Sequence, residues 1–173
     1  ERSKRTLVVM TMGGNDIAAI TKDGADGVPL EDVTATLVSA VEDFRAAVEL
    51  LKDTTVFPGG VSVIFTNNFE FTDATGDVNA CPAASAAGFG EPWEDPSALA
   101  ELVVWMMEQY LLIAVDTQSD MLFVLESFCG HGFKNDDPEN GCYRGPDTER
   151  WFDLTCIHPN PAGHAALADM FLA

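Results

Sequence analysis

Two short stretches at opposite ends of the sequence hold the residue types that carry protons and stabilise anions. Near the start, Gly13-Gly14-Asn15-Asp16 follows an apolar run. Glycines there let a ligand approach the backbone, and the Asn15 carboxamide offers an N–H donor of the kind that stabilises an oxyanion. The same residues are all turn formers, so a plain strand-to-loop turn is the competing reading. Near the end stands Asp153-Leu154-Thr155-Cys156-Ile157-His158-Pro159-Asn160-Pro161-Ala162-Gly163-His164. Two prolines stiffen the surroundings of His158, and a general base needs an imidazole held in that way. An ordinary structural histidine ahead of a helix is the alternative. His164 reads as a packing or hydrogen-bonding residue.

The elements that would position these groups follow from periodicity. Thr6 to Met12 is apolar and partly β-branched and stops at the glycines, which predicts a buried strand. From Leu30 to Leu51, Val33, Leu37, Val41, Phe44, Val48 and Leu51 recur at helical intervals, with Glu31 and Asp32 at the positive end of the helix dipole. Pro58-Gly59-Gly60 punctuates the chain before a second strand, Val61 to Thr66. The Gly, Ala, Asn and Asp-rich stretch from Asn67 to Pro96 predicts a long loop that lies over a site or is tied down by Cys81. A helix from Pro96 to Thr117, capped by Asp95 or Ser97, precedes a third strand, Met121 to Leu125. A polar loop then runs from Cys129 to Trp151. Asn160 as N-cap and Pro161 in the first turn open a last helix to Leu172. Alternating strands and helices predict an α/β fold with a mostly parallel sheet, which binds ligands at the carboxyl ends of its strands.

The 173 residues suit one domain, with residues 1–5 a basic linker. Nine basic against 28 acidic residues give a net charge of −19, so a polyanion is repelled and nucleic-acid binding is excluded. With 47% hydrophobic residues the chain folds despite that charge. The apolar stretch from Leu99 to Val115 contains Glu101, Glu108 and Gln109 and reads as a core helix, not a membrane span. Cys81, Cys129, Cys142 and Cys156 lack zinc spacing, so two disulfides and a secreted, extracellular or periplasmic location are expected, with Cys129–Cys142 the first pairing to test among three connectivities. The start has no signal-peptide pattern, which fits a mature chain in that compartment or a cytosolic one.

Together, GxND after a strand and HPNxxGH opening the last helix resemble blocks III and V of the SGNH (GDSL-type) serine hydrolases. The resemblance spans nearly the whole chain and implies a three-layer α/β/α sandwich, flavodoxin-like, acting on a small-molecule ester as an esterase or lipase, with no cofactor and no metal. It assigns Asn15 to the oxyanion hole and His158 to the catalytic histidine. The triad acid of that pattern stands three residues before the histidine, where this chain has Thr155; Asp153 is therefore the expected orienting acid. Block I, with the nucleophilic serine, and the block II glycine have no counterpart upstream of Gly13. The resemblance thus implies the C-terminal portion of a hydrolase lacking its first β-α-β portion, associated with an N-terminal fragment of the same precursor that carries the serine. The alternative is a catalytically silent SGNH-like binding domain.

Other candidates are weaker. Ser127 beside His131 lacks a nucleophile motif, and a bridged Cys129 has no thiolate. Asn135 to Gly141 gathers oxygen donors without calcium-loop spacing and reads as a solvated acidic loop. Phe69, Phe71 and Phe89 point to lipid-like or aryl esters.

Overall fold

The computed structural model describes residues 2–86, 88–89 and 93–173. Glu1 of the basic linker and Ala87, Gly90, Glu91 and Pro92 of the long loop lie outside the described residues. Thr6–Met10 forms β1 and Val61–Thr66 forms β2, paired in parallel with Val8 opposite Val63 and Met10 opposite Phe65. On the other side of β2, Asp120–Leu122 forms β3, again parallel, with Met121 opposite Phe65. The order is β1-β2-β3. Parallel neighbours need long crossovers, and two helices supply them. Leu30–Lys52 (α2) joins β1 to β2, and Pro96–Thr117 (α3) joins β2 to β3. Both expected helices are present, and Asp95 caps α3 by accepting from the Ser97 N–H at 3.0 Å.

Burial explains the layering. Val33, Leu37, Val41, Phe44 and Val48 of α2 and Met106, Tyr110 and Ile113 of α3 close over Val63 and Phe65, with Val8, Met10 and Met121 packed against them. Phe44 stacks on Tyr110 and meets Phe65 edge-on, with ring centroids 4.5 and 5.1 Å apart. The α3 helix serves this core along one side only. Val104, Leu111, Leu112 and Val115 are exposed, and by length and apolar composition alone this helix is able to cross a membrane. Leu7 and Val9, alternating with Val8 and Met10, lie on the opposite sheet face and are 62% and 49% exposed. The architecture is therefore mixed α/β around a small parallel sheet, with α2 and α3 layered on one face.

Two elements depart from expectation. The glycine turn after β1 continues directly into α1, Gly14–Ala25, whose Ile17 and Ile20 reach the core. The third strand stops at Leu122 and the chain coils into α4, Val124–Phe128. Asn67, just past β2, takes up the amide that follows: its Oδ1 accepts the Leu125 N–H at 2.9 Å. An amide engaged in this way is lost to a longer strand.

A second core gathers Phe71, Val78, Phe89, Val124, Phe128, Phe152 and Leu167 around the disulfide Cys81–Cys156. The long loop is thereby tied down. Its Asp73 carboxylate accepts N–H groups of Gly130, Gly132 and Lys134 at 2.8, 2.8 and 2.9 Å, so it also anchors the polar loop. That loop is closed by the expected pair Cys129–Cys142. The two disulfides accord with an oxidising environment. The chain ends in α5, Pro161–Leu172, with Asn160 Oδ1 accepting from the Gly163 N–H at 3.0 Å as its cap.

Candidate active site

The segment from Phe152 to Pro159 is a closed loop whose two ends pair in an antiparallel bridge. The Asp153 N–H donates to the His158 carbonyl at 3.0 Å, and the Asn160 N–H to the Trp151 carbonyl at 2.7 Å. Cys156, buried and disulfide-bonded, pins the middle of the loop at a positive φ of 74°. Gly163 completes the hold: a Cβ there would collide with the Trp151 carbonyl, so only glycine lets α5 start this close. His158 therefore projects from a loop fixed at four points, with its imidazole exposed.

Inside that loop three side chains form a hydrogen-bonded chain. The Asp153 carboxylate accepts from the Thr155 hydroxyl at 2.5 Å and from the Thr155 N–H at 2.8 Å. Thr155 Oγ1 lies 2.7 Å from His158 Nδ1. The hydroxyl bond to Thr155 is the main reason the Asp153 carboxyl sits below the usual carboxylate range, so it is ionised at neutral pH and only accepts. The single hydroxyl proton of Thr155 then goes to Asp153, and Thr155 Oγ1 must accept from Nδ1–H of His158. That tautomer leaves Nε2 with its lone pair free, as a general base requires. The acid thus orients the imidazole through Thr155, not by touching it. Thr155 thus stands where the resemblance places an acid, and its hydroxyl, three residues before the histidine, is the signal in the sequence.

Asn15 lies in the first turn of α1, exposed, and not on a loop. The residue before this helix is Gly13 at φ 100°, which provides no side-chain cap, so the first-turn amides and the helix dipole favour negative charge beside Asn15. Gly13 is obligatory on two grounds, its left-handed φ and the Tyr110 hydroxyl occupying the space of a Cβ. Asn68, buried two residues past β2, has its Nδ2 without a hydrogen-bond partner among the described residues and would stand 2.9 Å from that Cβ. Both residues wedge the turn that presents Asn15. No hydrogen bond joins Asn15 to His158 among the described residues. Ala18, three residues on and on the same face of α1, packs against the second core, the cluster that holds Phe152 and Cys156. The helix of Asn15 and the loop of His158 border one apolar cluster.

No family model, curated protein or solved structure matches the chain.

The remaining candidates find other roles. Ser127 sits in α4 with its hydroxyl donating to the Phe123 carbonyl at 3.0 Å. His131 stacks on Trp151 at 3.5 Å with Nδ1 2.6 Å from the Glu149 carbonyl oxygen, and burial pushes its pKa down. This is a packed structural histidine. His164, expected to pack or hydrogen-bond, is exposed and makes no side-chain hydrogen bond among the described residues, because Gly163 and Leu167 form the buried side of α5. Phe71 and Phe89 are buried and Phe69 half-buried in the second core, stacked at 4.8 Å on Phe128, so they build the core and not an acyl pocket. In the 135–141 loop, Asp137 and Asn140 accept backbone N–H groups of Glu139 and Cys142. No group of three metal-binding side chains occurs among the described residues.

Proposed function

We propose that this chain supplies the histidine and the anion-binding asparagine of a carboxylic ester hydrolase of the SGNH type. The observation that carries the reading is the Asp153–Thr155–His158 chain, which fixes the Nδ1–H tautomer and leaves Nε2 free in a loop pinned on all sides. In this reading a serine on a segment outside the chain attacks the acyl carbon. His158 takes the serine proton at Nε2 and returns it to the leaving alkoxide, and the Asp153 charge, relayed through Thr155, stabilises the imidazolium. Asn15 donates from its carboxamide to the tetrahedral oxyanion, assisted by the uncapped start of α1. Water then hydrolyses the acyl-enzyme by the same proton route. The three-layer sandwich belongs to the same proposal, as does secretion of the assembled enzyme.

A fluorophosphonate probe applied to the protein isolated from the cells that make it tests this reading. Labelling of a serine on a co-purifying segment, lost in His158→Ala, is the expected result. A folded protein that takes no label is instead the silent binding domain.

A further inference from the structure

The α3 helix turns a second apolar stripe away from the core. Val104, Met107, Leu111 and Val115 recur at intervals of three and four residues, so they share one side of the helix over about 16 Å. Val104, Leu111 and Val115 are 57%, 45% and 66% exposed. Beside the stripe the chain leaving β3 raises Phe123 and Leu125, and the two walls bound a groove of about 300 Å³. Its polar groups are few and of one kind. Glu108 belongs to the wall on α3, and Glu126 to the wall on α4. Glu126 Oε2 accepts from Asn67 Nδ2 at 2.9 Å, while Asn67 Oδ1 takes the Leu125 N–H. The buried carboxamide is thus engaged at both ends, and what the groove offers a ligand is two carboxylates, which only accept. Arg144 donates to the Glu126 backbone carbonyl at 2.8 Å, and neither carboxylate forms an ion pair among the described residues.

We propose that this groove docks an amphipathic helix of a partner protein, with apolar residues at i, i+3 or i+4 and i+7 in the groove and lysine or arginine on its flanks against Glu108 and Glu126. The stripe runs for about three helical turns, the length over which a helix laid in a groove places its apolar anchors. Charge selects among the occupants that an apolar wall would take. A bilayer would bury the same two carboxylates in hydrocarbon at high cost, so it is the poorer match although α3 is long and apolar enough to span one. A second copy of the chain brings its own carboxylates to the groove and joins two molecules of net charge −19. A basic helix satisfies the apolar walls and both carboxylates together, and its opposite charge speeds the encounter. The inference stands apart from the proposed hydrolysis, since the groove includes neither the histidine loop nor the turn that presents Asn15.

Amide NMR of the 173-residue chain, titrated with a synthetic helical peptide of leucines at i, i+3, i+4 and i+7 flanked by lysines, tests it. Two control peptides separate shape from charge: one with the same composition scrambled so that no stripe forms, and one with glutamine in place of lysine. The expected shifts saturate and are confined to residues 103–115 and 121–126, and both controls bind weaker by about tenfold or more. Leu111 and Glu108 are exposed, so Leu111→Ser and Glu108→Gln keep the denaturant midpoint of the chain. Each should weaken the first peptide about tenfold, whereas Glu101→Gln, at an exposed acid of α3 outside the groove, should leave its affinity unchanged. Equal affinity for the scrambled peptide overturns the docking, as do shifts spread over the acidic surface or binding that neither groove variant weakens. Zwitterionic phosphatidylcholine vesicles that shift the same residues overturn it in favour of a bilayer. A dimer in sedimentation equilibrium that Leu111→Ser dissociates overturns it in favour of a second copy.

Discussion

Tyr110 shows how far a residue can act from its own position. It lies in α3 yet fills the space beneath Gly13, with its hydroxyl 3.4 Å from the Met12 carbonyl, and so backs the turn that presents Asn15. Burial pushes its pKa up to about 12 from a normal 10.0. A group raised in the folded state favours folding fully below the unfolded value and loses that contribution as pH rises through the folded value. Stability should therefore fall between about pH 10 and 12, and denaturant midpoints across that window should fall less in Tyr110→Phe. Thr155 makes the complementary point. Its type alone looked like a missing acid, but its place between Asp153 and His158 turns it into the link between them. A residue's chemistry is legible in sequence, whereas which proton it must give away depends on two neighbours at once.

The two disulfides act on different elements, and their loop lengths rank them. Cys81–Cys156 closes 75 residues and holds the histidine loop to the second core; Cys129–Cys142 closes 13 and tightens one loop. In the chain-entropy account the longer one contributes about 4.5 kcal/mol and the shorter about 3 kcal/mol. Replacing Cys81 and Cys156 by alanine should cost about 1.5 kcal/mol more in denaturant unfolding than replacing Cys129 and Cys142. The long helices α2 and α3 and the strands β1 and β2 were readable because their apolar periods run over whole elements. The α1 helix was not, since Gly13 to Asp16 are turn formers and the pattern of Ile17 and Ile20 is too short to outvote them. The end of β3 was equally hidden. The amide that follows it is taken by the Asn67 side chain, which lies 58 residues from Leu125.

At the scale of the molecule, charge works against compactness. The net −19 is opposed by few cations, and the ion pairs Arg45–Asp116 and Lys134–Asp77 lie at the surface, where each contributes little. Self-repulsion is then a long-range term that salt screens. Raising sodium chloride from about 0.01 to about 0.5 M shortens the screening length severalfold and should raise the thermal midpoint. A midpoint that falls with salt would mean that local ion pairs outweigh the repulsion. The same acidity disfavours close pairing of two like-charged copies.

The central claim is that the loop holds His158 as a base with its free lone pair on Nε2. Nitrogen-15 NMR of the imidazole at mildly alkaline pH, where a free imidazole is neutral, measures this directly. The predicted spectrum has the proton on Nδ1 in the native chain, with that preference lost in Thr155→Val. A proton on Nε2 in the native chain, or a tautomer indifferent to Thr155, would contradict the account.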